Sequence, residues 1–397
     1  MQQDKQDSKK VLIFSTAYYP YVGGAEVAIK EITDRISDVE FHLITARFSK
    51  KIPFKEKIGN VLVYRLGVGI PLLDKLLLPF EGALFVRHLQ KKNNYQAFWC
   101  VMATFASGAA YLSNIFSNKK VPIILNLQEG DSEEHFSKRW FGLIDLSWKM
   151  ALKRTHILTV LSQFLKDRAE RFGYKGEARI IPNGVDLNKF KIENSKLKIK
   201  ERQEIRNELG LQEKDIVLIT SSRLVVKNGV GDVIEALTLL PKEVKFIICG
   251  VGELETSLKL KVKRLKLEDR VIFKGFVSHT EMPKYLKACD IFIRASLSEG
   301  MGNSFIEAFA SGIPVVATPV GGIVDFLKDP TSQGYDGTSV QTGYFCEPEN
   351  PESIAATVKR VIADPNKDKV VENAYNLAIE KYDWDKIAPE MRKVFDL

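Results

Sequence analysis

Residues 296–322 read Ser296-Leu297-Ser298-Glu299-Gly300-Met301-Gly302-Asn303-Ser304-Phe305-Ile306-Glu307-Ala308-Phe309-Ala310-Ser311-Gly312-Ile313-Pro314-Val315-Val316-Ala317-Thr318-Pro319-Val320-Gly321-Gly322. Two glutamates, Glu299 and Glu307, enclose a turn of small and amide residues, Gly300-Met301-Gly302-Asn303-Ser304. An apolar stretch follows, then a Pro-Val-Val strand and a second glycine pair. Turn, helix and strand in this succession are the parts of a parallel α/β sheet. A turn with few side chains that opens a helix leaves backbone N–H groups without partners at the positive end of the helix dipole. Such a turn receives anions and hydroxyls. A carboxylate at each end accepts hydrogen bonds from paired hydroxyls.

Working outward, short apolar strands alternate with helical stretches throughout the chain. In the first half, Val11–Thr16, Glu40–Thr45, Val61–Leu66, Ala97–Thr104, Val121–Leu127, Ile157–Leu161 and Arg179–Pro182 read as strands. Gly24–Ser37, Leu84–Lys92, Gly108–Ser117, Asp145–Lys153 and Ser162–Phe172 read as the helices between them. The polar, lysine-rich stretch Lys189–Glu204 reads as a linker leading into the second domain. The alternation restarts at Ile216–Ser221, and the charge-rich Pro348–Asp364 reads as a further helix. Two α/β domains are expected, 1–188 and 189–381, each long enough to bury its own core.

Composition bounds the function. The four cysteines, Cys100, Cys249, Cys289 and Cys346, are far apart. They suggest a reduced, cytoplasmic compartment rather than a disulfide framework. The five histidines are scattered, with no zinc spacing. The uncharged run Tyr95–Asn118 is long enough to raise the question of a membrane span, but it is interrupted by Gln96, Thr104, Ser107, Gly108, Ser113, Asn114 and Ser117. A buried strand followed by a helix fits it better. Residues 1–190 hold 28 Lys+Arg and 19 Asp+Glu, a net of +9; residues 191–397 hold 30 and 31, a net of −1. The basic half points to an anionic membrane surface or phosphate-bearing acceptor, or is simply a solvated face. Nucleic acid is not favoured, because no basic stretch is interleaved with stacking aromatics. Two readings stand for Ile70–Phe80, Ile-Pro-Leu-Leu-Asp-Lys-Leu-Leu-Leu-Pro-Phe: a segment dipping into a membrane interface, or one buried between helices, which is preferred.

Further turns sit at strand ends, where ligands of open α/β sheets bind. Tyr18-Tyr19-Pro20-Tyr21-Val22-Gly23-Gly24-Ala25-Glu26 follows the first strand. Ser221-Ser222-Arg223-Leu224-Val225-Val226-Lys227-Asn228-Gly229 follows the first strand of the second half. Cys249-Gly250-Val251-Gly252-Glu253-Leu254 and Val271-Ile272-Phe273-Lys274-Gly275 come next, and Gln128-Glu129-Gly130-Asp131 ends a strand of the first half.

The 296–322 stretch, taken with these turns, resembles the donor motif of the retaining family-4 glycosyltransferases, which have the GT-B fold; the resemblance runs along nearly the whole chain. It implies two facing Rossmann-like domains with a cleft between them, and a last segment, 382–397, whose helix Trp384–Phe395 crosses back to the first domain. It implies transfer of a sugar from a nucleoside diphosphate sugar to a hydroxyl of a saccharide or lipid-linked acceptor. No cofactor and no metal are implied. The expected setting is cytoplasmic, including the inner membrane face as a peripheral protein. By the same resemblance Arg223, Lys227 and Glu299 are catalytic. Gly23, Gly24, Gly252, Gly302, Asn303, Ser304 and Glu307 bind the donor, and Gln128, Glu129 and Asp131 lie on the acceptor side. Two departures stand out. The family places a lysine directly before the glycine where this chain has Asn228, with Lys227 one residue earlier. Many relatives have a histidine at about Gln128, and His135 is a poor substitute by spacing. A neutral amide orients a hydroxyl but takes no proton at neutral pH. The alternatives are a nucleotide-sugar epimerase of the same fold and a non-catalytic nucleotide-sugar-binding protein.

Overall fold

A computed structural model describes residues 9–117, 120–131, 143–190, 195–332, 335 and 337–396. The chain divides into two compact units, Met1–Asn183 together with Trp384–Leu397, and Gly184–Asp383.

The first unit is built on β1 (Lys9–Phe14), α1 (Gly24–Asp34), β2 (Val39–Ala46), β3 (Lys55–Ile58), β4 (Val61–Leu66), α2 (Pro71–Gln90), β5 (Tyr95–Val101), α3 (Phe105–Ile115), β6 (Ile123–Leu127), α4 (Leu143–Arg154), β7 (Ile157–Val160), α5 (Gln163–Arg171) and β8 (Ala178–Ile180). Its eight strands run in the order β3-β4-β2-β1-β5-β6-β7-β8, all parallel except β3, which pairs antiparallel with β4 at the edge. The central strands are apolar runs such as Val11-Leu12-Ile13-Phe14, buried on both faces as helix-covered parallel sheets require. Ser162 caps α5, its hydroxyl accepting the Leu165 N–H at 3.3 Å.

The second unit contains α6 (Leu187–Phe190), α7 (Ser195–Glu208), β9 (Ile216–Ser221), α8 (Val230–Ala236), β10 (Val244–Cys249), α9 (Glu255–Arg264), β11 (Val271–Gly275), α10 (Met282–Ala288), β12 (Ile291–Arg294), α11 (Asn303–Ala310), β13 (Val315–Ala317), β14 (Tyr344–Phe345), α12 (Pro351–Ala363) and α13 (Lys367–Lys381). Its six strands are all parallel, in the order β11-β10-β9-β12-β13-β14. The sheet therefore winds one way from β9 to β11 and the other way from β12, with a switch point between β9 and β12. Pro351 opens α12 after the cap Asn350, whose side chain accepts the Ser353 N–H at 2.9 Å.

The last helix, α14 (Trp384–Val394), belongs to the first unit, where it packs on α1. Trp384, Ile387, Met391, Val394 and Phe395 join Val11, Ile13, Ile29 and Trp99 in one core cluster. Arg392 clasps Asp38 through Nε at 2.9 and 3.0 Å, and Arg35 Nε donates to Asp385 at 2.6 Å.

The structure corrects several element readings. Lys189–Glu204 is not a simple linker, because helix α7 begins at Ser195; residues 191–194 lie outside the described residues. Helix α2 starts at Pro71, not Leu84, since Pro71 suits the first helical position and the internal Pro79 does not end the helix. Strand β3 was missed because Lys55–Ile58 is polar and alternately exposed, as an edge strand can be. The preference for burying Ile70–Phe80 is overturned, since Ile70, just before α2, and Leu72, Leu73, Leu77 and Phe80 on it are exposed. The described residues of the 95–118 run form β5 and α3, and no helix among the described residues is long and apolar enough to cross a membrane.

Candidate functional site

In the second unit the loops after β9 and β12 meet at the switch point, and the sequence-selected residues Arg223, Lys227, Glu299, Gly302, Asn303, Ser304 and Glu307 lie on them or on α11. The loop after β9 carries exposed Arg223 and then a short 3-10 turn, Val226–Asn228, with half-buried Lys227. Asn228 is buried, and its Nδ2 donates to the Arg223 carbonyl at 2.6 Å. The residue that replaces the family's lysine thus staples the loop that carries both cations. The loop is also tied to its neighbour by the Leu297 N–H, which donates to the Lys227 carbonyl at 2.7 Å. Gly229 ends the turn with φ +62°, and a methyl group there would lie 1.8 Å from the Ala295 carbonyl oxygen. Only glycine lets the two loops come this close.

The centre of this arrangement is a residue the sequence reading missed. Arg294 ends β12 and is 6% exposed. Its Nε donates to Ser296 Oγ at 3.1 Å, its Nη1 donates to Ser304 Oγ at 2.9 Å, and its Nη2 pairs with the Glu299 carboxylate. Its guanidinium carbon stands 4.4 Å from the centroid of the Phe305 ring. Burial lowers its pKa, opposed by the charges of Glu299 and Glu307, while Arg223 adds to the lowering. A buried guanidinium is costly unless paired, so this fork fixes Glu299 and the first turn of α11 in one geometry. The signal was present in the sequence as a charge at the end of an apolar strand, Ile291-Phe292-Ile293-Arg294.

Gly302, at φ +88°, leads into α11, and a methyl there would meet Arg294 Nη2 at 2.8 Å. Asn303 is half-buried and Ser304 buried in the first turn. Glu307 lies in the second turn, 7% exposed, with Oε1 3.3 Å from Nδ1 of His279. The Glu299 carbonyl accepts the Gly322 N–H at 3.0 Å, which ties the second glycine pair to the same site. Gly252, after β10, sits where the Leu224 backbone crosses, so its place in this structure is close packing of the first two loops. Phe273 is half-buried and packs against the second unit's core.

In the first unit, Gly23 precedes α1 and Gly24 opens it; both are exposed. The Gly23 N–H donates to Glu26 Oε2 at 2.7 Å, so a carboxylate of the chain already occupies part of that helix terminus. Gln128 is locked in a polar relay. Asn183 Nδ2 donates to its Oε1 at 3.2 Å, its own Nε2 donates to Asn126 Oδ1 at 2.5 Å, and Asn126 Nδ2 donates to Thr159 Oγ1 at 3.0 Å. The Glu129 carboxylate accepts the backbone N–H groups of Ala103 and Gln128. Arg168 donates to its carbonyl at 3.1 Å. Burial pushes the Glu129 carboxyl up to about 7, against the pull of those N–H groups and Arg168. Asp131 is half-buried, and His135 lies outside the described residues.

The expectation that the chain holds no Asp-x-Asp sequence, taken as support for a metal-free site, is wrong: Asp383-Trp384-Asp385 is one. Trp384 is in the core, and Asp385 holds Arg35, so the structure uses the segment to seat α14.

The family described as Glycosyl transferases group 1 matches residues 201–377, and Glycosyltransferase Family 4 matches residues 22–189. The chain is similar to an uncharacterized glycosyltransferase of Methanocaldococcus jannaschii, 25% identical over 98% of both chains. It is similar to the alpha-monoglucosyldiacylglycerol synthase of Acholeplasma laidlawii, 26% identical over 77% of this chain and 79% of that one. Among solved structures it resembles Anabaena HepE in complex with UDP-glucose, with a TM-score of 0.76, 22% identity, and 98% and 99% of the two chains covered. With one family matching each half, and a relative aligned along almost its full length, the chain belongs to the family-4-like glycosyltransferases of GT-B fold.

Proposed function

We propose that the enzyme transfers a sugar, with retention of anomeric configuration and without a metal, from a nucleoside diphosphate sugar to a hydroxyl of a saccharide or lipid-linked acceptor. The observation that carries this reading is the joining of Glu299, Ser304 and the start of α11 by buried Arg294, beside the Arg223–Lys227 loop. In this reading Glu307 takes the ribose hydroxyls, Glu299 orients the sugar, and Arg223 and Lys227 face the diphosphate. As the glycosidic bond breaks, negative charge grows on the departing diphosphate. Preorganised cations stabilise that charge more than the ground state. The acceptor proton passes to the leaving phosphate oxygen, and the acceptor oxygen bonds to the anomeric carbon on the face the diphosphate leaves. Gln128, a neutral amide whose orientation the relay fixes, takes no proton.

The Acholeplasma relative is named for glucosyldiacylglycerol synthesis, and the Anabaena structure holds UDP-glucose. UDP-sugars and lipid-linked or saccharide acceptors are therefore the first substrates to try, with the enzyme working at the cytoplasmic face of an anionic membrane. The test is incubation with a panel of nucleotide sugars and acceptors, reading product anomer by NMR, with and without chelator. The expected product keeps the donor's anomeric configuration, and chelator leaves the rate unchanged. Arg223→Lys is expected to cost about 10²–10³ in turnover, and Lys227→Ala less. An inverted product, or a wild type silenced by chelator and restored by Mg²⁺, overturns the reading.

A further inference from the structure

Glu307 is 7% exposed, yet its carboxylate has a single ion-pair or hydrogen-bond partner among the described residues, Nδ1 of His279 at 3.3 Å. The buried cation nearby, Arg294, feels the charge of Glu307 but gives its nitrogens to Ser296, Ser304 and Glu299. An ionised carboxylate has about four acceptor sites. His279 fills one and leaves the others for hydroxyl donors. A glutamate side chain turns about several bonds, so a carboxylate that must meet two hydroxyls at once gains from a fixed partner.

His279 reaches Glu307 from another element, the loop between β11 and α10. Gly275 ends β11 at φ +74°, a left-handed conformation that suits glycine, and turns the chain. Its carbonyl accepts the Gly250 N–H at 2.7 Å, and Val277 is buried, so the loop is anchored on both sides of exposed Phe276. The Ser278 carbonyl accepts the N–H groups of Glu281 and Met282 at 3.0 and 2.9 Å, and the hydroxyls of Ser278 and Thr280 lie 2.9 Å apart. The backbone around His279 is therefore held, while its side chain stays 45% exposed. A half-exposed ion pair adds little to folding, so its worth lies in aiming the carboxylate. The charged groups around the pair are Glu281 on the same loop, Arg294 on β12, and Glu299 and Arg223, whose charges act on Arg294. Among these side chains and the pair itself, the imidazole is the one that ordinarily changes charge near neutral pH.

We propose that His279 is a positioning residue for the donor: its ring holds the Glu307 carboxylate so that both oxygens meet the ribose hydroxyls, and it thereby sets a preference for ribonucleotides over deoxyribonucleotides. The proposal builds on the reading of Glu307 as the ribose ligand. Calorimetry with UDP, GDP and ADP finds the diphosphate that the wild-type chain binds, and its 2′-deoxy form is then measured alongside it. The expected wild-type preference for the ribose form is about tenfold or more. His279→Ala should bind the ribose form about tenfold more weakly and lose most of the preference, with the deoxy form little changed. His279→Asn, whose amide nitrogen stands close to the place of Nδ1, should restore part of it. Between about pH 6 and about pH 8 the wild-type preference should fall as the imidazole loses its charge, and His279→Asn should show no such fall. Because the side chain is half-exposed, the unfolding midpoint should stay put, and with the sugar donor KM should rise while kcat holds. Adding His279→Ala to Glu307→Gln should change little beyond Glu307→Gln alone, since the histidine acts through the carboxylate. His279→Ala with wild-type selectivity, a full His279→Ala loss in the Glu307→Gln background, or a wild-type preference that does not fall with pH overturns the proposal and leaves Glu307 on the ribose. A wild type that binds none of the diphosphates, or does not distinguish ribose from deoxyribose, overturns the Glu307 reading and this proposal together.

Discussion

Arg294 shows how one buried charge organises a set of weaker partners. Leucine in its place would leave Glu299 without its cation and Ser304 without its donor. Breaking such a pair costs about 3 kcal/mol at the lower end of the range for buried ion pairs, which suits a partly exposed Glu299. Arg294→Leu is therefore expected to lower the denaturation midpoint and to weaken nucleotide binding in calorimetry. Arg294→Lys should recover part of the stability but little of the affinity, because an ammonium cannot copy the planar fork. Unchanged affinity in both variants would deny Arg294 a positioning role. Glu129 gives a pH signature. Its carboxyl titrates near 7 in the fold against an ordinary value of 4.5, so between these values the folded state holds more protons than the unfolded one. Its contribution to stability therefore falls as pH rises from about 4.5 to about 7. Denaturant unfolding across that range should show the slope in the wild type and lose it in Glu129→Gln; identical profiles would remove Glu129 as its source.

At the scale of elements, the site depends on how closely the loops of the second unit can approach. The loop after β9 reaches the loop after β12 through Gly229, and Asn228 holds it in shape. Gly229→Ala demands a left-handed conformation, which costs about 1–2 kcal/mol for a residue with a side chain, before the collision with Ala295 is counted. The loop must then move and take Arg223 and Lys227 with it. We expect Gly229→Ala to fold, to lose at least about 1 kcal/mol of stability, and to lose more in kcat than in KM, because charge placement matters most in the transition state. A variant with wild-type kinetics would mean that the loop position is not critical. The contrast with α2 is instructive. Its face carries no such constraint, and substitutions at Leu73 or Leu77 should barely change stability.

For the whole molecule, the chain order and the folded units do not coincide. The first unit needs the last helix, which arrives only after the whole second unit has been traced. Residues 1–183 alone would lack Trp384, Ile387, Met391, Val394 and Phe395 from their core. Removing one large aromatic from a core costs about 3–5 kcal/mol, and total stability is commonly about 5–15 kcal/mol. A 1–183 fragment should therefore bind a dye for exposed apolar surface and unfold without a sharp transition. A fragment in which 384–397 is rejoined to 183 by a short flexible linker should unfold cooperatively. If both behave alike, α14 is only an appendage.

Much of this was legible in the sequence because it depends on local pattern. Parallel strands buried on both faces are continuous apolar runs, so most strands of both sheets can be read directly. The Glu299–Glu307 turn is one uninterrupted segment whose residue types reveal its chemistry. Strand β3 and the true start of α2 were harder, because an edge strand looks polar and an apolar helix looks buried whether it is or not. Only the tertiary structure decided which of the apolar side chains of Ile70–Phe80 face water. It alone turned Arg294 inward onto Glu299 and Ser304, and seated Trp384 in a core whose members outside the last segment lie more than 200 residues earlier. Burial and pairing depend on neighbours distant in the chain, and no local spacing encodes them.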